Sequence, residues 1–143
     1  KEPVVFEALT DWTTNSDDLI KYYSGTAVYK SSFKLDAAPD GNHILIDLGD
    51  FVAMARVKVN GQDAGGLWTA PYTLDITDLV KAGDNEVEIE VVNTWLNRLI
   101  GDLNLPEAKR TTWAAINSWK ADSPLQKAGL FGPVVIESVD YAE

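Results

Sequence analysis

Two-residue alternation dominates the chain. From residue 53 onward, Ala53, Ala55, Val57 and Val59 alternate with Met54, Arg56, Lys58 and Asn60, the period of a strand with one buried and one wet face. Asn60-Gly61 follows, and both residues tolerate the positive φ that a type I′ hairpin turn requires, so the strand turns straight back on itself. The strictest alternation comes later, in Asn85-Glu86-Val87-Glu88-Ile89-Glu90-Val91, with Val, Ile and Val facing in and three Glu facing out.

The same pattern organises the flanks. Val4 to Leu9 reads as an opening strand, and Asn15 to Tyr23 as one or two helical turns capped by Ser or Asp. After Gly25, the residues Ala27, Tyr29, Ser31, Phe33 and Leu35 alternate with Val28, Lys30, Ser32 and Lys34 as a long strand. Pro39-Asp40-Gly41-Asn42 places turn residues in turn order, so His43 to Leu48 is the returning strand. Pro71 to Ile76 reads as a strand and Thr77 to Asp84 as a short helical turn ended by Gly83. From Thr94 to Gly129 the periodicity is lost, although Trp95, Trp113 and Trp119 fall there; long connections of this kind are functional or disordered, and three indoles argue against disorder. Gly132 to Val139 restores order as a final strand with Pro133 near its start. About eight short strands with turns between them, and no helix long enough for a parallel crossover, predict an all-β antiparallel sandwich of jelly-roll type.

Length and charge narrow the function. The 143 residues suit one domain, able to bury roughly two thirds of its unfolded surface. Without cysteine there is no disulfide, thiolate metal site or cysteine nucleophile. Twelve basic against 22 acidic residues, a net charge of -10, repel nucleic acid and anionic membranes, whereas a neutral ligand meets no such barrier. No run is apolar enough to span a bilayer, and Lys1-Glu2-Pro3 lacks the plan of a signal peptide. The immediate start into a strand-like segment suggests a piece of something longer. The acidic surface, with no self-complementary apolar stripe, leans towards a monomer.

Catalytic chemistry finds little support. His43 is the only histidine, which excludes a histidine-metal cluster and leaves no His-based triad at its turn position. Glu86, Glu88 and Glu90 share one strand face, where solubility and edge protection explain them better than acid-base catalysis. Asp47, Asp50, Asp75 and Asp78 lie at strand ends and turns, the usual places for Asp to bond its local backbone.

Several motifs in order carry a resemblance. They are Gly25-Thr26-Ala27-Val28-Tyr29-Lys30, Leu48-Gly49, Val57-Lys58-Val59-Asn60-Gly61 with Gly65, Asp75-Ile76-Thr77-Asp78-Leu79 and Gly83-Asp84-Asn85-Glu86-Val87. Together they resemble the galactose-binding-like β-sandwich domains of glycoside hydrolases, above all the sugar-binding domain of family 2 enzymes. Asn93 to Asp102 and Gly129-Leu130-Phe131-Gly132-Pro133-Val134 look like the C-terminal sandwich of family 106 α-L-rhamnosidases. The likeness runs from Gly25 to Ile136. It implies a non-catalytic module, a fragment of a larger bacterial, extracytoplasmic glycoside hydrolase, whose partner is a neutral glycan or the parent catalytic domain. It also implies no cofactor, although many domains of this superfamily hold a structural calcium ion; no Asp-x-Asp-x-Asp-Gly loop is present here.

A pyranose offers a C–H face that stacks on an indole and hydroxyls that need fork-shaped polar partners. Trp68, Trp95, Asn97, Arg98, Asp102, Trp113 and Trp119 are the carbohydrate-binding candidates of those types, and most fall on loops. Two other uses stay open. Trp95 and Trp113 can plug an end of the sandwich while Arg98 ties the loop to a backbone carbonyl or Asp102, or the aromatic segment can dock on a catalytic domain. Trp12 and Tyr72 are expected in the core.

Overall fold

The computed structural model describes residues 3–116 and 118–140. Nine strands occur among them: β1 (Thr26–Leu35), β2 (His43–Asp47), β3 (Asp50–Val52), β4 (Met54–Val59), β5 (Gln62–Leu67), β6 (Thr73–Asp75), β7 (Gly83–Val92), β8 (Gly129–Gly132) and β9 (Val135–Val139). The helices are α1 (Asp18–Lys21), capped by the Asp17 carboxylate accepting from the Leu19 amide, and α2 (Leu96–Leu103). The named strand pairs are antiparallel, in a four-stranded sheet β1-β7-β4-β5, a three-stranded sheet β6-β2-β9 and a β3-β8 pair. This is the expected all-β sandwich.

Alternation becomes burial. Ala55, Val57 and Val59 of β4 and Val87, Ile89 and Val91 of β7 turn inward to meet Ile44, Ile46 and Leu48 of the second sheet and its exit. Each of the Val, Ile and Leu side chains among them, fully buried, is worth about 1.5–3 kcal/mol. Asn60 and Gly61 both take positive φ, 50° and 78°, as the hairpin requires. Asn60 also does long-range work: its amide donates to the Leu79 carbonyl at 2.8 Å and to Asn85 Oδ1 at 2.9 Å, and its Oδ1 accepts from the Glu86 amide at 3.0 Å. Asn85, fully buried, bonds Lys81 on both backbone atoms. On the outer face of this sheet Lys30 Nζ lies 2.7 Å from Glu88 of β7, and Arg56 of β4 pairs with Asp63 of β5.

Three expectations need correction. Val4 to Leu9 forms no strand; it runs without a ladder, Val5 88% exposed. Its alternation offers a face, but the chain provides no paired edge for it. The stretch after Thr94 is not irregular throughout, because α2 opens it. The final strand is divided, β8 pairing with β3 and β9 with β2. Trp12 is core as expected, its Nε1 donating to the Tyr29 hydroxyl at 2.6 Å. Tyr72 is half-buried, its ring 4.5 Å from that of Phe51.

Candidate functional site

Strand direction gathers the aromatic residues at one end of the sandwich. Ala55 lies opposite both Leu67 and Val91, so the chain leaves β5 and β7 at the same end. Trp68 follows β5 there and Trp95 follows β7, 69% and 62% exposed. On the outer face of the four-stranded sheet at this end, Val92 is opposite Met54, and one row further Val28, Glu90 and Arg56 align. Val28 and Met54 are half-exposed.

α2 stands on the same end. Leu96, Leu99, Ile100 and Leu103 recur at helical spacing, the first three of them buried. A Cβ at Gly101 would lie 2.6 Å from the Tyr22 ring, so only glycine lets the helix seat against it. Two buried polar residues on α2 then hold the chain that follows. Asn97, 3% exposed, donates to the Gln126 carbonyl at 2.6 Å and accepts from the Gln126 amide at 2.9 Å. The Asp102 carboxylate, 2% exposed, accepts from the amides of Thr111 and Thr112 at 2.8 and 2.7 Å and from their hydroxyls at 3.2 and 2.7 Å. Arg98 donates its second guanidinium nitrogen to Asp102, while its Nε is buried without a partner. Burial pushes the Asp102 pKa up, but the Thr112 hydroxyl and amide, Arg98 and the Thr111 amide outweigh it and hold the carboxyl at about 2.

The seven candidates therefore divide. Asn97 and Asp102 spend their polar atoms on the chain's own backbone, Arg98 pairs with Asp102, and these three are buried or nearly so. Trp68, Trp95 and Trp113, the last 81% exposed, present their indoles outward; Trp119 is 41% exposed. Trp95 and Trp113 thus do not plug the sandwich. Trp113 forms one wall of a cleft of about 420 Å³ over α2, with Leu99, Leu103, Glu107, Arg110 and Thr112 also lining it. Sequence reasoning missed the holding residues Asn93, which bonds Gly25 and Tyr23, and Asn85; both fall in phase with the inward row Val87, Ile89 and Val91, the signal that could have found them.

Elsewhere, His43 Nδ1 lies 2.6 Å from Asp75 Oδ2. Hydrogen bonds from the Thr77 hydroxyl and amide, then His43, hold the Asp75 carboxyl at about 2. Asp47 accepts from the Gly49 amide at 2.8 Å. No group of three or more His, Asp or Glu side chains able to hold a metal occurs among the described residues.

The family profile described as glycosyl hydrolase 2 galactose-binding domain-like matches residues 9–125. A Formosa agariphila protein named "Putative beta-glucuronidase" is 36% identical over 158 residues, 93% of this chain and 14% of that protein. Among solved structures, a rhamnosidase from Novosphingobium sp. PP1Y superposes with a TM-score of 0.83 at 43% identity, over 90% of this chain and 12% of that one. A β-D-glucuronidase of Dictyoglomus thermophilum gives 0.53 at 26% identity, over 62% of this chain and 16% of that one. The chain thus spans a small fraction of the relatives it matches.

Proposed function

This chain belongs to the glycosyl hydrolase 2 galactose-binding domain-like family, and on that premise we propose that it is a non-catalytic accessory module whose aromatic end packs against the rest of a multidomain glycoside hydrolase. The observation that carries this reading is the contrast at that end. Trp68, Trp95, Trp113 and Ile116 expose most of their surface, while Asn97 and Asp102, which a sugar would need, are saturated by backbone groups. Exposed aromatics whose candidate amide and carboxylate partners are already spent suit a protein interface, where burial supplies affinity. Relatives several times longer than this chain supply the surface to be covered. Deleting the module from the intact parent is expected to yield insoluble or inactive enzyme; a soluble, fully active remainder overturns the reading.

A second reading, a neutral glycan bound by stacking, is favoured by the cleft beside Trp113. Its volume lies within the range of small-ligand sites, and Arg110 and Glu107 supply polar groups around an indole. Titration with neutral sugars, rhamnose and galactose included, followed by tryptophan fluorescence, distinguishes the two. Saturable quenching lost in Trp113→Ala supports the glycan, and a flat response to every sugar removes it.

A further inference from the structure

Residues 104–128 differ from the rest of the molecule in charge as well as in structure. They hold four cations, Lys109, Arg110, Lys120 and Lys127, against two acids, Glu107 and Asp122. Their net charge is +2, on a chain whose total is -10, so the remaining residues carry -12. All four cations are exposed, and none is in an ion pair with a described residue. Lys127 rests over the Phe131 ring at 5.6 Å, and Arg110 Nε donates to the Leu105 carbonyl, which leaves Lys109 and Lys120 the least engaged. Among these charges stand Trp113 and Ile116, 81% and 88% exposed. The segment has only one short helical turn, Glu107–Lys109, among its described residues. It is nevertheless anchored at two points, Asp102 gripping Thr111 and Thr112 and Asn97 gripping Gln126.

An arm held at Thr111, Thr112 and Gln126, with apolar tips set among cations, is built to meet a surface that is apolar at its centre and acidic at its rim. We propose that residues 104–128 are a docking arm that seats in an acidic-rimmed apolar groove on the part of the parent polypeptide outside this chain. The inference rests on the preceding reading of the chain as a packed accessory module and adds the element and the chemistry of the contact. One observation and one chemical requirement select that occupant. The relatives are far longer than the match, 12–16% of their length, so a tethered partner is present at high effective concentration. Glycoside hydrolysis also needs a pair of carboxylates, which makes the neighbourhood of such a catalytic cleft acidic. A second copy of this chain is the competing occupant, and the test separates it by dependence on protein concentration.

The test is hydrogen exchange on the intact parent enzyme, comparing the wild type with Lys109→Glu/Lys120→Glu and Trp113→Ala/Ile116→Ala at low and high salt. In the wild type the amides of residues 113–116, beyond those that Asp102 already holds, are expected to be protected. Each double variant speeds their exchange by about tenfold or more, and salt does the same to the wild type. Free exchange of this segment in the wild type overturns the inference, as does a charge-reversed variant with wild-type protection. So does protection that depends on protein concentration, which indicates a second copy, or that appears only with added neutral oligosaccharide. The packing reading is judged separately, from protection around Met54 and Trp68 and from the module deletion. It survives if those hold while the arm exchanges freely.

Discussion

The Asn60-Gly61 hairpin and the 104–128 arm leave opposite ends of one sandwich, since β4 and β7 run antiparallel. At the hairpin end, order comes from repetition: Val57, Val59, Val87 and Ile89 bury in a ladder whose register repeats every two residues. At the arm end there is no repeat to exploit, and order comes from single buried polar groups, Asp102 and Asn97, each satisfying backbone that no ladder reaches. The first mechanism spreads stability over many residues, each replaceable at moderate cost. The second concentrates it in a few atoms and leaves the surface of the arm free to carry function.

The contrast can be broken from either side. Ile46→Ala, at a fully buried position between the sheets, is expected to cost about 3–4 kcal/mol, lowering the denaturant midpoint of the whole domain with no separate local transition. Asp102→Ala should cost about 2–3 kcal/mol, because it strands the Thr111 and Thr112 amides and Arg98. Its signature is local: proteolytic cleavage within 104–128 while the strands still resist, and an unchanged cleavage pattern refutes the anchor.

Acid tests the same anchor more gently. The Asp102 carboxyl is depressed from 3.8 to about 2, so its contribution is complete above the unfolded value and is lost as pH falls through the folded one. Arm protection is therefore expected to hold at pH 5 and fade between about pH 4 and 2, with Asp102→Asn removing that step; Asp75, held at about 2 as well, supplies a separate loss near His43. Smallest of all is Trp113→Ala. With 81% of the residue exposed, it should change stability by no more than about 0.5 kcal/mol, and a larger loss by thermal melting would show that the indole holds the fold.

Legibility follows the same divide. Most strands from Thr26 to Val92 could be read because a half-buried strand must alternate, and Asn60-Gly61 because few residues accept its φ values; β3, three residues opening on the turn-like Gly49-Asp50, is too short to show alternation. α2 carried a readable stripe in Leu96, Leu99, Ile100 and Leu103, but Asn97, Gly101 and Asp102 are poor helix formers and masked it. Their presence makes sense only in three dimensions: Gly101 yields to Tyr22, and the other two hold the arm. Val4 to Leu9 shows the reverse error, a strand pattern with no ladder, because alternation specifies a face and not a partner.

For the candidate residues, type was legible and role was not. Trp, Asn, Arg and Asp in 95–113 were recognisable as polar and aromatic groups suited to a ligand, and the chain alone could not say which of them its own backbone would claim. The sequence by itself determined the sandwich, its central hairpin and the acidic, cysteine-free character of the module, because periodicity, turn chemistry and charge are local or additive properties. Only the tertiary structure decided that Asn97 and Asp102 turn inward while Trp68, Trp95 and Trp113 stay outside. That choice depends on which backbone amides and carbonyls are left unpaired when distant segments meet, and a buried unpaired amide is too costly to leave.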